Sequence, residues 1–592
     1  MTSTCGIKQV VDLLGEQSGT FQSKASEVII SRLAVAVLFS IISSYTFSIT
    51  DQPCTRPAPG SIVEEPATLR SRNGVLEAEL IYRNQKAAND EEHYCYQGQS
   101  GDQSPTLRVK PGDLLILHLR NRLSPEQKQA NRSMPAMTIS SPCADASMTA
   151  LSTNLHFHGM TVPPDCHKDD VLHTFVQPND KPYEYRFRIP SDESPGLYWY
   201  HPHVHGFTNR QVLGGASGAL IVEGIERANK QLAGLPERTF VIRDQELLHP
   251  DATPASAAFA PPVLRDSEGD ALNIGTGGGK PAKDLSINFV PVPFPDYTPA
   301  KVQVRPSERA LWRVLNASAI AYIDIQILVD NQPLPLGVVS LDSSPINENG
   351  LTPNRVLWVN HVFLPPSSRV EFIFKGVSEN TNARLITRSV DTGPAGENDP
   401  ARPLAAIVPA AGAPVTASHL VKSPEPLPPS REVWLGNIQP SKTRKLYFSE
   451  KLESPSRADS PTIFMITVDG QTPAPFDPHE TSPSITARQG DVEDWVIENR
   501  SREMHAFHIH QIRFMLTQWN GAPVDEPFLR DTINIPYWDG KSPNYPSVTI
   551  RLDFRNPNAV GTFVYHCHLL EHEDGGMMGT IQVLPQFSDA AK

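Results

Sequence analysis

Basic residues are too few in this chain to balance its acids: 52 lysines and arginines stand against 65 aspartates and glutamates, a formal charge of −13 over 592 residues. A protein that grips nucleic acid needs a basic face to neutralise phosphates, so this balance excludes that class. Cysteine is scarce as well, and six residues cannot make disulfides the main support of so long a chain. Long helical periodicity is missing. Proline is plentiful instead: 56 residues, roughly 9.5% and about twice the usual share. Proline removes a backbone donor and breaks helix interiors, which excludes a long helical bundle and favours a loop-rich β protein. Hydrophobic residues, at 39%, suffice for packed cores and exclude a disordered chain. The length suggests three or four domains of ordinary size.

Only the N-terminus carries a membrane signal. Residues 33–50 hold no charge, and 33–42 are strongly apolar after Lys24 and Arg32. The segment 1–50 reads as a signal sequence with a long n-region or as an uncleaved single membrane anchor, because no clear Ala-x-Ala site follows. Either reading exports the rest of the chain to the periplasm, the exterior or an outward-facing membrane surface. No twin-arginine pair precedes the run, and no second span follows. Cys5 lies in this segment and Cys567 between two histidines. The other four, Cys54, Cys95, Cys143 and Cys166, allow two bridges in any of three connectivities. The glycine run 275–280 lacks P-loop spacing, with Pro281 where Ser or Thr belongs, so it reads as a loop and a nucleotide enzyme is excluded.

An internal repeat organises the remainder. Residues 109–121 (VKPGDLLILHLRN), 304–316 (VRPSERALWRVLN) and 487–499 (ARQGDVEDWVIEN) share a turn, an alternating apolar strand and a terminal asparagine. Asn121, Asn316 and Asn499 are 195 and 183 residues apart, a domain-sized period. The ends correspond too: 196–203 (GLYWYHPH) matches 561–568 (GTFVYHCH), whereas the middle equivalent, 383–390 (ARLITRSV), has no histidine. Strand signals at 183–189 and 370–374 lie between proline-rich turns, and proline-rich linkers fall at 235–237 and 423–430. The economical reading is all-β: three β-sandwiches in series over 60–230, 236–422 and 430–592. Asn131, Asn316 and Asn499 also sit in N-x-Ser sequons, a pattern common by chance.

Histidine carries the chemistry. Nineteen histidines make His-x-His expected about 0.6 times by chance, and it occurs five times, in 156–158, 201–205, 508–510 and 566–568. On a strand, residues i and i+2 face the same way, so each pair presents two imidazoles together. Neutral imidazole is a favoured ligand of copper and zinc. The run 566–577 (HCHLLEHEDGGM) adds a thiolate and a thioether. Two histidines, a cysteine and a weak axial methionine make the blue-copper arrangement for one-electron transfer. Cys567 and His572 come from this loop, His505 is the natural second imidazole, and Met577 is the axial candidate. His566 and His568 face away from Cys567 on a strand. With the three remaining pairs they make eight imidazoles for a second, multinuclear centre, joined to Cys567 by covalent bonds.

These motifs resemble those of three-domain multicopper oxidases, laccase-like and nearest in type to bacterial spore-coat laccases and bilirubin oxidases, and the likeness covers nearly everything after about residue 60. The resemblance implies three cupredoxin-like Greek-key sandwiches. It implies four copper ions. His505, Cys567 and His572 would hold a type 1 copper, with Met577 axial at the family spacing of eleven residues from His566. His156 and His508 would hold a type 2 copper; His158, His201, His203, His510, His566 and His568 would hold a type 3 pair. The first and third domains would clamp the cluster, the middle one serving as spacer. Phe157, Ala506 and Gln511 replace a tryptophan, a proline and a glycine common in relatives, and none is a ligand. His205 is an extra histidine, read as lying outside the ligand set.

The implied activity is four one-electron oxidations coupled to reduction of dioxygen to two waters. Its protons need a relay: Glu573 is one candidate and Asp169 another, with adjacent Asp170 not separated from it. An axial methionine suggests a potential suited to phenols, aromatic amines or bilirubin-like pigments. Cu(I) and Fe(II) are alternative donors, although there is no methionine-rich insert and no iron-binding acid cluster is legible. Two-domain copper nitrite reductases lack eight cluster histidines, a non-catalytic relative would have lost ligands, and a simple electron carrier would need only His505, Cys567, His572 and Met577. The remaining partners are small molecules, and the chain reads as a monomer.

Overall fold

Alternating apolar residues between proline-rich turns build the three repeated stretches as central strands of three sheets. In the computed structural model these strands are Leu114–Asn121, Ala310–Asn316 and Val492–Asn499. Each pairs in parallel on one side, with Val75–Lys86, Glu237–Gln245 and Lys442–Leu452 respectively. Each pairs antiparallel on the other, with Tyr183–Arg188, Arg369–Phe374 and Ser547–Asp553. In the third, Trp495, Ile497 and Asn499 are buried while Asp494, Val496 and Glu498 are partly exposed, the period of two that a half-buried strand requires. The middle strand is buried along its whole length. Its second face is covered by the first sandwich, where Leu315 packs with Leu197, Trp199 and Ile221, and on that face Arg313 lies between Glu237 and Glu371 while Glu237 meets Arg108 at 2.7 Å.

Residues 53–586 are described, apart from 88–90, 125–142, 144–147, 179, 253–269, 274–278, 414–416, 425–432 and 455–459. The N-terminal segment 1–50, the sequon at Asn131 and most of the glycine run lie outside the described residues. Pro53–Lys592 forms one compact unit. It is nearly all β, 43% strand and 5% helix, and six sheets pair face to face into three sandwiches. Leu80, Leu117, Phe157 and Tyr200 belong to the core of the first; Trp312, Phe372, Ile325 and Leu385 to that of the second; Trp495, Ile550, Phe507 and Tyr565 to that of the third. Full burial of each such side chain stabilises by about 1.5–3 kcal/mol. Among the described residues no helix is long and apolar enough to cross a membrane.

The repeated asparagine is a clamp. Asn121 Nδ2 donates to the carbonyls of Leu151 and Val176, Asn316 Nδ2 to those of Ala321 and Leu364, and Asn499 Nδ2 to those of Glu503 and Ile535. Each Oδ1 accepts from the backbone N–H two residues on. All three are buried, so Asn316 and Asn499 have no free amide for a glycan in the folded chain. A second repeated device pairs Tyr200 with Gly218 and Tyr565 with Gly579 across neighbouring strands. A Cβ on Gly218 would come 2.2 Å from the Tyr200 hydroxyl and one on Gly579 2.6 Å from that of Tyr565, so each ring lies flat over a glycine. Of the three disulfide connectivities open to the sequence, the fold takes Cys54–Cys95 and Cys143–Cys166, and Cys567 is free and buried. Asn316→Ala leaves two buried carbonyls and one N–H unpaired. It should destabilise the protein by about 3 kcal/mol in denaturant unfolding, and an unshifted transition would show the clamp to be dispensable.

Candidate metal centre

Strand pairing brings the histidine motifs together. His156–His158 lies antiparallel to Gly196–His201, with His156 opposite His201. In the third sandwich His505–Ile509 lies antiparallel to Gly561–Cys567, with His508 opposite His566 and Phe507 opposite Cys567. Along the last strand Phe563, Tyr565 and Cys567 point into the core of their own sandwich. Val564 points the other way, against Val171 of the first sandwich, and His566 shares its face. The same alternation therefore sends Cys567 inward and its histidine neighbours to the seam between the first and third sandwiches.

At that seam eight imidazoles converge, none more than 2% exposed. His156 stacks on His510 with ring centroids 3.7 Å apart, and His158 on His508 at 3.9 Å, each stack crossing the seam. Ligand atoms fall within 4.8 Å of one another in the sets His156–His158–His508, His158–His201–His568 and His203–His510–His566. Most rings have one nitrogen occupied. His156 Nδ1 lies 3.0 Å from Asp169, His158 Nε2 3.2 Å from Asp531, and the Nδ1 atoms of His201, His508 and His566 face the carbonyls of Pro202, Asp531 and Cys567 at 2.7–2.9 Å. The other nitrogen of His156, His158, His201 and His508 is buried with no hydrogen-bond partner. The Nε2 atoms of His203 and His510 each approach that of His566 at 3.3 Å. Burial, reinforced by neighbouring imidazoles, pushes these rings below their usual pKa, His201 to about 3 and His566 to about 4. They are neutral at pH 7, with lone pairs aimed at common points, an arrangement suited to metal ions.

A second set is enclosed in the third sandwich. Cys567 Sγ lies 3.5 Å from His505 Nδ1 and 3.9 Å from His572 Nδ1, with the two nitrogens 3.2 Å apart. A metal held trigonally at bond lengths of about 2.0–2.3 Å needs ligand atoms about 3.5–4 Å apart, and this triangle is close to that size. Multicopper oxidase family models match residues 147–227 and 453–586. The multicopper oxidase mco of Staphylococcus haemolyticus is 24% identical over 487 residues, 81% of each chain. A laccase of Bacillus subtilis is 21% identical over 508 residues, 81% of this chain and 88% of its own. The solved structure of a multicopper oxidase from Campylobacter jejuni, described as a metallo-oxidase, aligns with a TM-score of 0.61 at 23% identity, over 90% of this chain and 97% of that one.

The first and third sandwiches carry multicopper oxidase domains. The chain is a copper-dependent oxidoreductase, and the cupredoxin-like sandwiches expected from the sequence are those of its fold. Copper suits the donors of this oxidase: burial raises the Cys567 thiol far above the ordinary range, and only a bound cation would make a thiolate favourable there. Met577 is fully buried in the same core as Cys567, and its carbonyl accepts from the Cys567 N–H at 3.0 Å. Met578 turns to the opposite face, with Val171 and Val564.

The acids separate just as clearly. Asp169 is buried against His156 and accepts from the Phe157 N–H, whereas Asp170 pairs with exposed His173. Glu573 is buried beside one histidine of the first sandwich and one of the third, 3.7 Å from His203 Nδ1 and 3.9 Å from His566 Nδ1, with Oε2 unpartnered. Burial, then Asp574, pushes its carboxyl well above the usual range. His205 stands against the Phe476 ring. Phe157 packs on Tyr185 and Phe187, and Ala506 takes part only through its backbone, whose carbonyl accepts from His568. Gln511 does more than the sequence suggests: with φ +58° it sends Nε2 to Asp169 at 2.6 Å, across the seam and one contact from His156.

Four further residues had no sequence signal. Glu450 lies 2.8 Å from His505 Nε2 and Glu503 3.6 Å from His572 Nε2, on the outer edges of both rings. Asp531 touches His158 and His508, and Arg369 of the middle sandwich grips Asp531. The middle sandwich is thus more than a spacer. None of these four belongs to a local motif; pairing between distant strands delivers them.

Proposed function

We propose that the chain couples four one-electron oxidations of a small reducing substrate, phenols or aromatic amines, to reduction of dioxygen to two waters. The observation that carries this reading is the convergence of buried, unpartnered imidazole nitrogens at the seam beside a separate Cys–His–His set. In this assignment His505, Cys567, His572 and Met577 would hold the type 1 copper. His156 and His508 hold the type 2 copper; His158, His201 and His568 hold one type 3 copper, and His203, His510 and His566 the other. The bound coppers supply the one-electron redox chemistry. Cys567 supplies the link, since its peptide bonds run directly to His566 and His568, which belong to different type 3 sets. Glu573 holds a proton at Oε2 between His203 and His566, and Asp169 fixes the His156 ring through Nδ1. Two disulfides in the described chain suit an exported protein, in keeping with a leader or anchor at 1–50. The domain limits assigned are 60–230, 236–422 and 430–592.

Copper-replete protein should hold four coppers per chain and absorb intensely in the blue. Cys567→Ser should hold three, with no blue band and no donor oxidation. Metal analysis giving a single copper in wild-type protein would remove the trinuclear assignment. Glu573→Gln should keep every copper while reoxidation of the reduced enzyme by oxygen slows about 100-fold. Stopped-flow traces with an unchanged rate would assign the proton to another group.

A second reading is favoured by Glu450 and Glu503. His505 and His572 are 0% and 1% exposed, and a carboxylate meets the outer edge of each. Burial, then Glu450, pushes the Glu503 carboxyl well above its usual range, so the negative charge lies on Glu450, where it favours cationic donors such as Cu(I) or Fe(II). Glu450→Gln should then lower kcat/KM for Fe(II) or Cu(I) about tenfold and leave a neutral phenol unaffected. Equal losses on all donors would assign Glu450 to holding His505 and leave phenols and amines as the donors.

A further inference from the structure

We infer that Arg369, in the middle sandwich that supplies none of the eight imidazoles, positions two ligands of the three-copper centre through Asp531. The inference rests on the ligand assignment proposed above. Asp531 directly precedes the strand Thr532–Ile535, which pairs with His505–Ile509. It is fully buried and serves one ring from each side of the seam. Its Oδ1 lies 3.2 Å from His158 Nε2, and its backbone carbonyl accepts from His508 Nδ1 at 2.7 Å. These two contacts fix opposite tautomers: His158 is left with Nδ1 as its lone pair and His508 with Nε2, the two nitrogens that have no other partner.

Arg369 holds that carboxylate with a two-pronged fork. Nη1 donates to Asp531 Oδ1 at 2.7 Å and Nη2 to Oδ2. The rest of the guanidinium is equally committed: Nε donates to the Leu197 carbonyl at 3.1 Å, Nη1 to that of Ser367 at 3.1 Å, and Nη2 to Ser343 Oγ at 2.9 Å. Leu197 belongs to the first sandwich, Ser343 and Ser367 to the second and Asp531 to the third, so one planar side chain is fixed by all three. The backbone next to a ligand is shaped around this contact. Gly159 has φ +84°, and a Cβ there would lie 2.6 Å from Asp531 Oδ2 and 2.7 Å from Arg369 Nη2. A buried carboxylate that loses this fork has no donor pair to fix its direction and would turn away. That turn would release the His158 tautomer and draw the backbone away from His508.

An interface pair that merely joins sandwiches would affect folding and nothing else, so the test reads the metal. Arg369→Lys keeps the charge and loses the fork. The double variant Arg369→Met/Asp531→Asn removes both charges of the fork, while buried Asp342, 3.7 Å from Arg369 Nη1, keeps the backbone N–H of residue 369 as its donor. In copper-loaded full-length protein, both should keep the wild-type blue band per chain. The paramagnetic signal of the type 2 copper should shift, and a chelator should strip cluster copper about 10- to 100-fold more readily. Folded variants with an unshifted type 2 signal and wild-type resistance to the chelator would overturn the inference and leave Arg369 an interface residue. A wild-type chain holding one copper would instead overturn the ligand assignment, an outcome separate from the first.

Discussion

Every other feature of this molecule accommodates one arrangement, neutral imidazoles buried with one nitrogen tied and the other left open. A buried polar atom without a partner costs about 1–3 kcal/mol. Seven such nitrogens lie at the seam: His156 Nε2, His158 Nδ1, His201 Nε2, His508 Nε2, His510 Nδ1 and both nitrogens of His568. A fold tolerates so many only where something outside the chain meets the lone pairs, one on each neutral ring, and copper ions suit that role. The tied nitrogens matter equally, because each tie selects the tautomer and the direction of the lone pair. Carbonyls of Pro202 and Cys567 do this locally, whereas Asp169 and Asp531 do it from a distance.

Because the open nitrogens come from two sandwiches, the metal site and the domain interface are one structure. Gln511 reaches from the third sandwich to Asp169 in the first, Asp574 accepts from backbone N–H groups of Gly206 and Asn209, and Glu573 lies between His203 and His566. The middle sandwich has no histidine in its equivalent strand Ala383–Thr387, yet it keeps the asparagine clamp at Asn316 and closes the seam from a third side through Arg369. Lacking histidine ligands does not separate it from the site. It still neutralises a carboxylate on which two of the rings depend.

What was legible in the sequence follows the same physics. Period-two spacing on strands is local, so the His-x-His pairs, the Cys567 cluster and the three central strands could be read without a structure. Asp169 was legible only as one of two neighbouring acids; the hydrogen bond to His156 separates it from Asp170. Glu450, Glu503, Asp531 and Arg369 were not legible, because their roles arise from contacts between strands far apart in the chain. Asp531 meets His158 across 373 residues of sequence, and no local pattern records such a pairing. The repeated asparagines were visible as a period, but only their hydrogen bonds turn the period into a clamp and set two apparent glycan sites aside.

The placement of the two metal sites follows from the alternation itself. On the strand Gly561–Cys567 adjacent side chains must face opposite ways. The thiol can enter its own core only if the histidines on either side leave it, and they can reach the seam only if the thiol does not. A slip of one residue would put both imidazoles among Phe507, Phe563 and Tyr565 and the thiol at the seam, destroying both sites together. The methionines obey the same rule, with Met577 in the core that holds the thiol and Met578 across from His566 on the seam face. The distance between the Cys567 set and the imidazoles at the seam is therefore set by the pleat of one strand, and no change of side chain can alter it without changing the register of the sheet.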